Sequence, residues 1–165
     1  MKAVINRSVW RVSKAGALDR LSLVEEDMPE LAPDRMRVSV RAVGLNFADL
    51  FAITGLYSAT PDGSFIPGLE FSGEVMAVGE QVQDFTVGTQ VMGAIRFGAY
   101  ATILDADPNC CAALPPGWSA AQGAAYLVQT FTAYYALTHL GAVTEGKQVL
   151  VHSAAGGVGL QAMRI

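Results

Sequence analysis

Gln148-Val-Leu-Val-His-Ser-Ala-Ala-Gly-Gly-Val-Gly159 is the stretch on which the reading of the fold turns. Gln148–His152 spells a short apolar strand, a glycine-rich turn follows, and Leu160–Ile165 begins a helix. Strand, glycine turn and helix form the context that a dinucleotide fingerprint requires. The match here is Ala154-x-Gly156-x-x-Gly159, with alanine where the first glycine normally stands. Gly156 would let the backbone approach a pyrophosphate, and Gly159 would let the helix pack closely on its strand. The first N–H groups of the helix would then face the anion. A plain glycine turn between strand and helix explains the same letters. The acidic residue that discriminates lies about 20 residues further on in such motifs, beyond Ile165. Choice between NAD and NADP is therefore not written in these residues. A single parallel strand cannot bury both of its faces, so the chain is expected to be truncated, holding only the first strand and part of the first helix of such a domain.

Upstream, the composition changes at Pro115-Pro116-Gly117. Ser119-Ala-Ala-Gln122 fits a capping box, and a long apolar helix is expected to run to about His139 and stop at Gly141. No Asp, Glu, Lys or Arg occurs from Pro108 to Thr144. The apolar part, Ala120–Val143, has the length of a membrane span of about 20 residues. It also contains Gln122, Gln129, Thr130, Thr132, Thr138 and His139 and lacks flanking basic clusters. A helix buried between two protein layers explains it better, and no integral membrane span is expected.

Residues 1 to about 114 read as β-rich. Met36, Val38, Val40 and Ala42 alternate with Arg37, Ser39 and Arg41, the pattern of a half-buried strand. Further strands are expected over Leu21–Glu26, Gly68–Gly79, Val87–Met92 and Ala99–Leu104. This spacing of short strands favours a small barrel slightly over a sandwich, which stays open. One short helix interrupts them. Asn46 can cap it, Phe47, Leu50 and Phe51 share one face, Asp49 meets the positive end of the helix dipole, and Gly55 ends it.

Composition bounds the function. The 165 residues carry a net charge of −4 and are 52% apolar, which excludes a disordered tail. A pI near 5.0 argues against a nucleic-acid partner held by bulk electrostatics. Adjacent Cys110 and Cys111 cannot build a disulfide framework and read as free thiols, one of them facing the core. Two histidines and no Cys-x-x-Cys leave little material for a zinc site. Met1–Val12 carries Lys2, Arg7 and Arg11 without an apolar run, so no secretory signal is read there and a cytoplasmic location is expected.

Five motifs stand in order: Val43-Gly-Leu-Asn-Phe-Ala-Asp49, Gly55-Leu-Tyr57, Pro67-Gly-Leu-Glu-Phe-Ser-Gly73, Thr132-Ala-Tyr134, and Val149 through Gly159. Together they resemble the medium-chain dehydrogenase/reductase superfamily. The likeness is to its zinc-free quinone oxidoreductases, to the vesicle amine transport protein branch and to enoyl reductase domains. The resemblance implies a GroES-like, partly open β-barrel over 1–117, a linking apolar helix over 118–147, and the start of a Rossmann domain over 148–165, with cofactor and substrate held in the cleft between the two domains. Asn46 stands where the zinc alcohol dehydrogenases place a zinc-binding cysteine, and Gly68-Leu69-Glu70 where they have Gly-His-Glu. The lobe with four clustered cysteines is absent. No thiolate and imidazole remain to bind a catalytic zinc, so no metal is expected. Gly88-Thr89-Gln90-Val91, where the family usually has Gly-Asp-x-Val, reads as local turn chemistry.

The resemblance implies hydride transfer from NADPH, expected ahead of NADH, to a quinone or an α,β-unsaturated carbonyl. Asn46, Asp49 and Tyr57 are the catalytic candidates. Asn46 would bond the carboxamide or a substrate oxygen, and Tyr57 would donate from the cleft. Asn46, Gln129, Thr132, Ala155, Gly156, Gly157, Val158 and Gly159 are the cofactor candidates. Each has a plainer alternative. Asn46 and Asp49 serve a helix start, Tyr57 lies on a surface loop, the Thr132 hydroxyl is satisfied in its own helix, and His152 ends a strand. Two other functions stay open: an enoyl-thioester reductase of fatty-acid or polyketide type, and a non-enzymatic nucleotide-binding or interaction protein. A homodimer is a possible state of the full-length protein.

Overall fold

Seven strands and four α-helices carry the chain in this computed structural model, which describes residues 4–165. Met1, Lys2 and Ala3 lie outside the described residues, and with them the Lys2 part of the basic start. The chain divides into two compact units, one ending at Ala125 and the other spanning Tyr126–Ile165.

In the first unit, β3 (Met36–Gly44) and β4 (Glu70–Val78) are the long central strands. An antiparallel sheet grows from them in the order β6-β3-β4-β5-β7, with β5 at Gln90–Ala94, β6 at Ile103–Ala106 and β7 at Cys111–Ala113. β1 (Asn6–Val12) and β2 (Leu21–Asp27) form a separate antiparallel ladder. Two isolated bridges, Val9–Ala101 and Val12–Phe65, tie that ladder in. The five-stranded sheet keeps two free ends, so the expected partly open barrel is an open arrangement.

Alternation along β3 places Met36 and Val38 in the core with Phe71, Val75, Val91, Ala99, Leu104 and Ala106. Arg37 lies on the other face and is nevertheless buried. Its guanidinium holds Asp105 by two hydrogen bonds, at 2.7 and 2.8 Å, and the Pro29 carbonyl at 2.7 Å. Both cysteines are free. Cys111 packs against the core, and burial pushes its thiol up to about 12, while Cys110 is exposed.

The expected strand over Ala99–Leu104 begins four residues late, at Ile103, because Ala99 and Tyr100 instead bond the carbonyls of Gly68 and Pro67. Sequence reading missed β1. Its two arginines hide the strand pattern, yet Arg7 and Arg11 both bind Glu26 on β2.

The expected long helix is in fact broken. α2 (Ala120–Ala124) ends the first unit, with Ser119 and Gln122 in the capping box. α3 (Leu127–Tyr134) opens the second and passes into a π-helical turn over Tyr135–Leu140, which Gly141 ends. Within that stretch the Thr138 hydroxyl donates to the Tyr134 carbonyl at 2.6 Å. Gln148–His152 is not a strand either, since it pairs with no other segment among the described residues. A parallel strand exists only through its ladder. α4 (Gly157–Ala162) follows the glycine turn. Among the described residues, no helix is long and apolar enough to cross a membrane.

Candidate functional site

β3 ends at Gly44, and after Leu45 and Asn46 the chain turns into α1 (Phe47–Thr54). Asn46 is the N-cap, with extended backbone, and Gly55 closes the helix in the left-handed conformation at φ 78°. Asp49, Ala52 and Ile53 point inward, whereas Phe47, Leu50 and Phe51 are exposed.

Asp49 is 2% exposed. Its Oδ2 accepts the Asn46 N–H at 2.8 Å and the Tyr100 hydroxyl at 3.0 Å, while Oδ1 has no partner at hydrogen-bonding geometry. Burial pushes the Asp49 carboxyl above its ordinary value; donors at Asn46, Tyr100 and Gly68 offset only part of that. The Tyr100 phenol is pushed up as well, by burial and by the carboxylate it faces. On its other side, Asn46 donates from Nδ2 to Glu70 Oε1 at 3.0 Å, and Glu70 is 1% exposed. Asn46 therefore stands between two buried carboxyl groups, one bonded to its backbone and one to its side chain.

Tyr100 went unnoticed in the sequence. It lies 51 positions from Asp49, and no local pattern signals a contact of that kind. Tyr57 is elsewhere: half-buried, it packs on the cluster of Val12, Ala52, Ile53 and Phe65.

The second unit holds the glycine turn. Ser153 is left-handed at φ 54°, its carbonyl accepts the Gly156 N–H at 2.8 Å, and α4 begins at Gly157. A Cβ at Gly159 would lie 2.3 Å from the Ser153 oxygen, so glycine at 159 permits the tight return of the turn on itself. A Cβ at Gly157 would strike the Gln129 side-chain amide at 2.4 Å, so α3 and the turn meet through Gln129. At Gly156 a Cβ would meet only the Ser153 oxygen, at 3.2 Å, which leaves that backbone approachable. Ala155, Gly156 and Val158 are exposed. Thr132 is also exposed, and its hydroxyl donates to Val128 one turn back at 2.7 Å. His152 is exposed on the turn. The structure thus brings Asn46, Asp49 and the unforeseen Glu70 and Tyr100 together, and separately brings Gln129 to the glycine turn.

The donors around Asn46 do not suit zinc. They are an amide, a phenol and two carboxyl groups already engaged in hydrogen bonds. No group of three His, Cys, Asp or Glu among the described residues is placed to hold a metal.

Residues 32–145 match the model of the alcohol dehydrogenase GroES-like domain. The chain belongs to that family. Within the medium-chain dehydrogenase/reductase superfamily, this GroES-like chain is 40% identical to the pikromycin polyketide synthase component PikAII of Streptomyces venezuelae, over 96% of its own length and 4% of the synthase. The crystal structure of the human synaptic vesicle membrane protein VAT-1 homolog-like protein matches with a TM-score of 0.89 and 32% identity, over 96% of this chain and 51% of that one. Escherichia coli quinone oxidoreductase complexed with NADPH matches with a TM-score of 0.84 and 33% identity, over 96% and 48%. The chain thus spans about half the length of these solved structures.

Proposed function

We propose that this chain belongs to an NAD(P)H-dependent, zinc-independent oxidoreductase that passes hydride to a quinone or an α,β-unsaturated carbonyl. The observation that carries the reading is Asn46 itself, a neutral amide fixed between Asp49 and Glu70 where a metal-binding enzyme of the superfamily needs a thiolate. Exposed Leu45 and Phe47 flank it and suit a flat apolar acceptor.

The glycine turn fits a dinucleotide. Gly156 leaves its backbone approachable, and Gly157, Val158 and Gly159 head α4. When bound, the nicotinamide supplies the hydride. The protein's own part is to hold and orient. Gln129 fixes the turn, Thr132 lies one helical turn further along α3, and Asn46 bonds a carboxamide or substrate oxygen. Tyr57 is the candidate phenol donor. The similarity to an NADPH-complexed quinone oxidoreductase supports NADPH ahead of NADH. In this reading residues 1–117 form the barrel domain, 118–147 the link and 148–165 the start of the nucleotide domain.

The 40% identity to a polyketide synthase component favours a second reading, an enoyl-thioester reductase. Loss of NADPH absorbance with a quinone and with a crotonyl thioester separates the two. Turnover is expected to survive chelation and to fall about tenfold in N46A, the share of one lost neutral hydrogen bond. NADPH binding by calorimetry with no turnover on either acceptor would leave a nucleotide-binding protein instead.

A further inference from the structure

We infer that Tyr100 is a positioning residue whose hydroxyl, by holding Asp49, sets where Asn46 stands. The inference rests on Asn46 being a site residue, as proposed above.

Tyr100 is fastened on three sides. Its N–H donates to the Pro67 carbonyl at 3.0 Å, its carbonyl accepts the Trp10 N–H at 2.9 Å, and its hydroxyl reaches Asp49 Oδ2 at 3.0 Å. Its ring lies against Gly68, where a Cβ would come within 2.4 Å of Cδ1. One residue thus joins β1, the turn ahead of β4 and the first turn of α1. The turn ahead of β4 leads directly into Glu70 at the start of that strand, and α1 carries Asp49; these are the carboxyl groups on either side of Asn46.

Asp49 has few donors to lose. Oδ1 has no partner at hydrogen-bonding geometry, and Oδ2 is held by Asn46 and Tyr100, with the Gly68 backbone a further donor to the carboxyl. Without the phenol, the only donors left to this buried carboxyl are the Asn46 and Gly68 backbones, and the position of Asn46 then relaxes with it. A tyrosine that merely filled space would not need its hydroxyl aimed at a carboxylate.

The test is Y100F, which keeps the ring and deletes the bond. Nuclear magnetic resonance on the isotope-labelled chain, without cofactor, reads the Asn46 side-chain amide and the exchange of its backbone N–H. In Y100F the Asn46 amide signals are expected to move and its N–H to exchange about tenfold faster, while Val38 and Val75 amides in the core stay in place. D49N, which keeps the shape and one acceptor oxygen, should move the same Asn46 signals and serves if Y100F fails to fold. Unmoved Asn46 signals in a folded variant would overturn the inference. Absence of turnover in the unaltered full-length protein would instead sink the oxidoreductase reading and leave this one standing; this chain alone is expected to be inactive.

Discussion

Gly68, in the turn ahead of β4, faces Tyr100, and the demands on the pair explain why glycine is required. Gly68 has φ 99°, a region that side chains avoid, and its missing Cβ makes room for the Tyr100 ring. G68A should therefore lower stability by about 1–3 kcal/mol, measured by urea unfolding; an unchanged midpoint would mean that the turn yields freely. Asp49 allows a second check, through pH. Its folded-state pKa lies above the ordinary 3.8, so between those two values the folded chain binds more protons than the unfolded one. Stability from this group is complete below 3.8 and declines as pH rises through the folded value. Wild type should accordingly lose stability relative to D49N as the buffer moves from pH 4 to 7. Glu26 has the opposite sign. Arg7 and Arg11 overcome its burial and hold it below 4.5, so its contribution is lost on acidification and cancels in the comparison. At this scale Asn46 and Asp49 were legible because a helix cap is local. Glu70 and Tyr100 were not, since only the assembled sheet brings them to Asn46.

Among elements, α1 followed its letters closely. Cap, first-turn acid and terminal glycine lie within ten positions, from Asn46 to Gly55, and each acts on its neighbours. G55A should cost about 1 kcal/mol, seen as a lower thermal midpoint, because the left-handed φ is the only demand and the nearest atom to a Cβ is 3.5 Å away. The helix read over 120–139 fared differently. Its apolar run carries no stop signal at Ala125, and the π-helical turn over Tyr135–Leu140 leaves no mark in the hydropathy pattern. β1 shows a related limit. Its arginines look like surface charge until β2 places Glu26 between them.

Across the whole molecule, the two units differ in what they bury. The first has a continuous core from Met36 to Ala106 around Phe71. In Tyr126–Ile165 the buried residues are Leu127, Ala133, Gly159 and Gln161, and every residue from 141 to 150 is exposed. The strand read over 148–152 illustrates the cause. Its apolar letters are correct for a parallel sheet, but a strand is made by its neighbours, and none pairs with it here. Local protection follows buried contacts and paired amides. Hydrogen exchange should therefore be slowest in β3 and β4, near the global unfolding limit, and at least about a hundredfold faster over 142–156, a gap of roughly 3 kcal/mol. Exchange measured by mass spectrometry on the intact chain decides the matter. Equal protection in the two regions would mean that the second unit has a core of its own, formed by contacts this arrangement lacks.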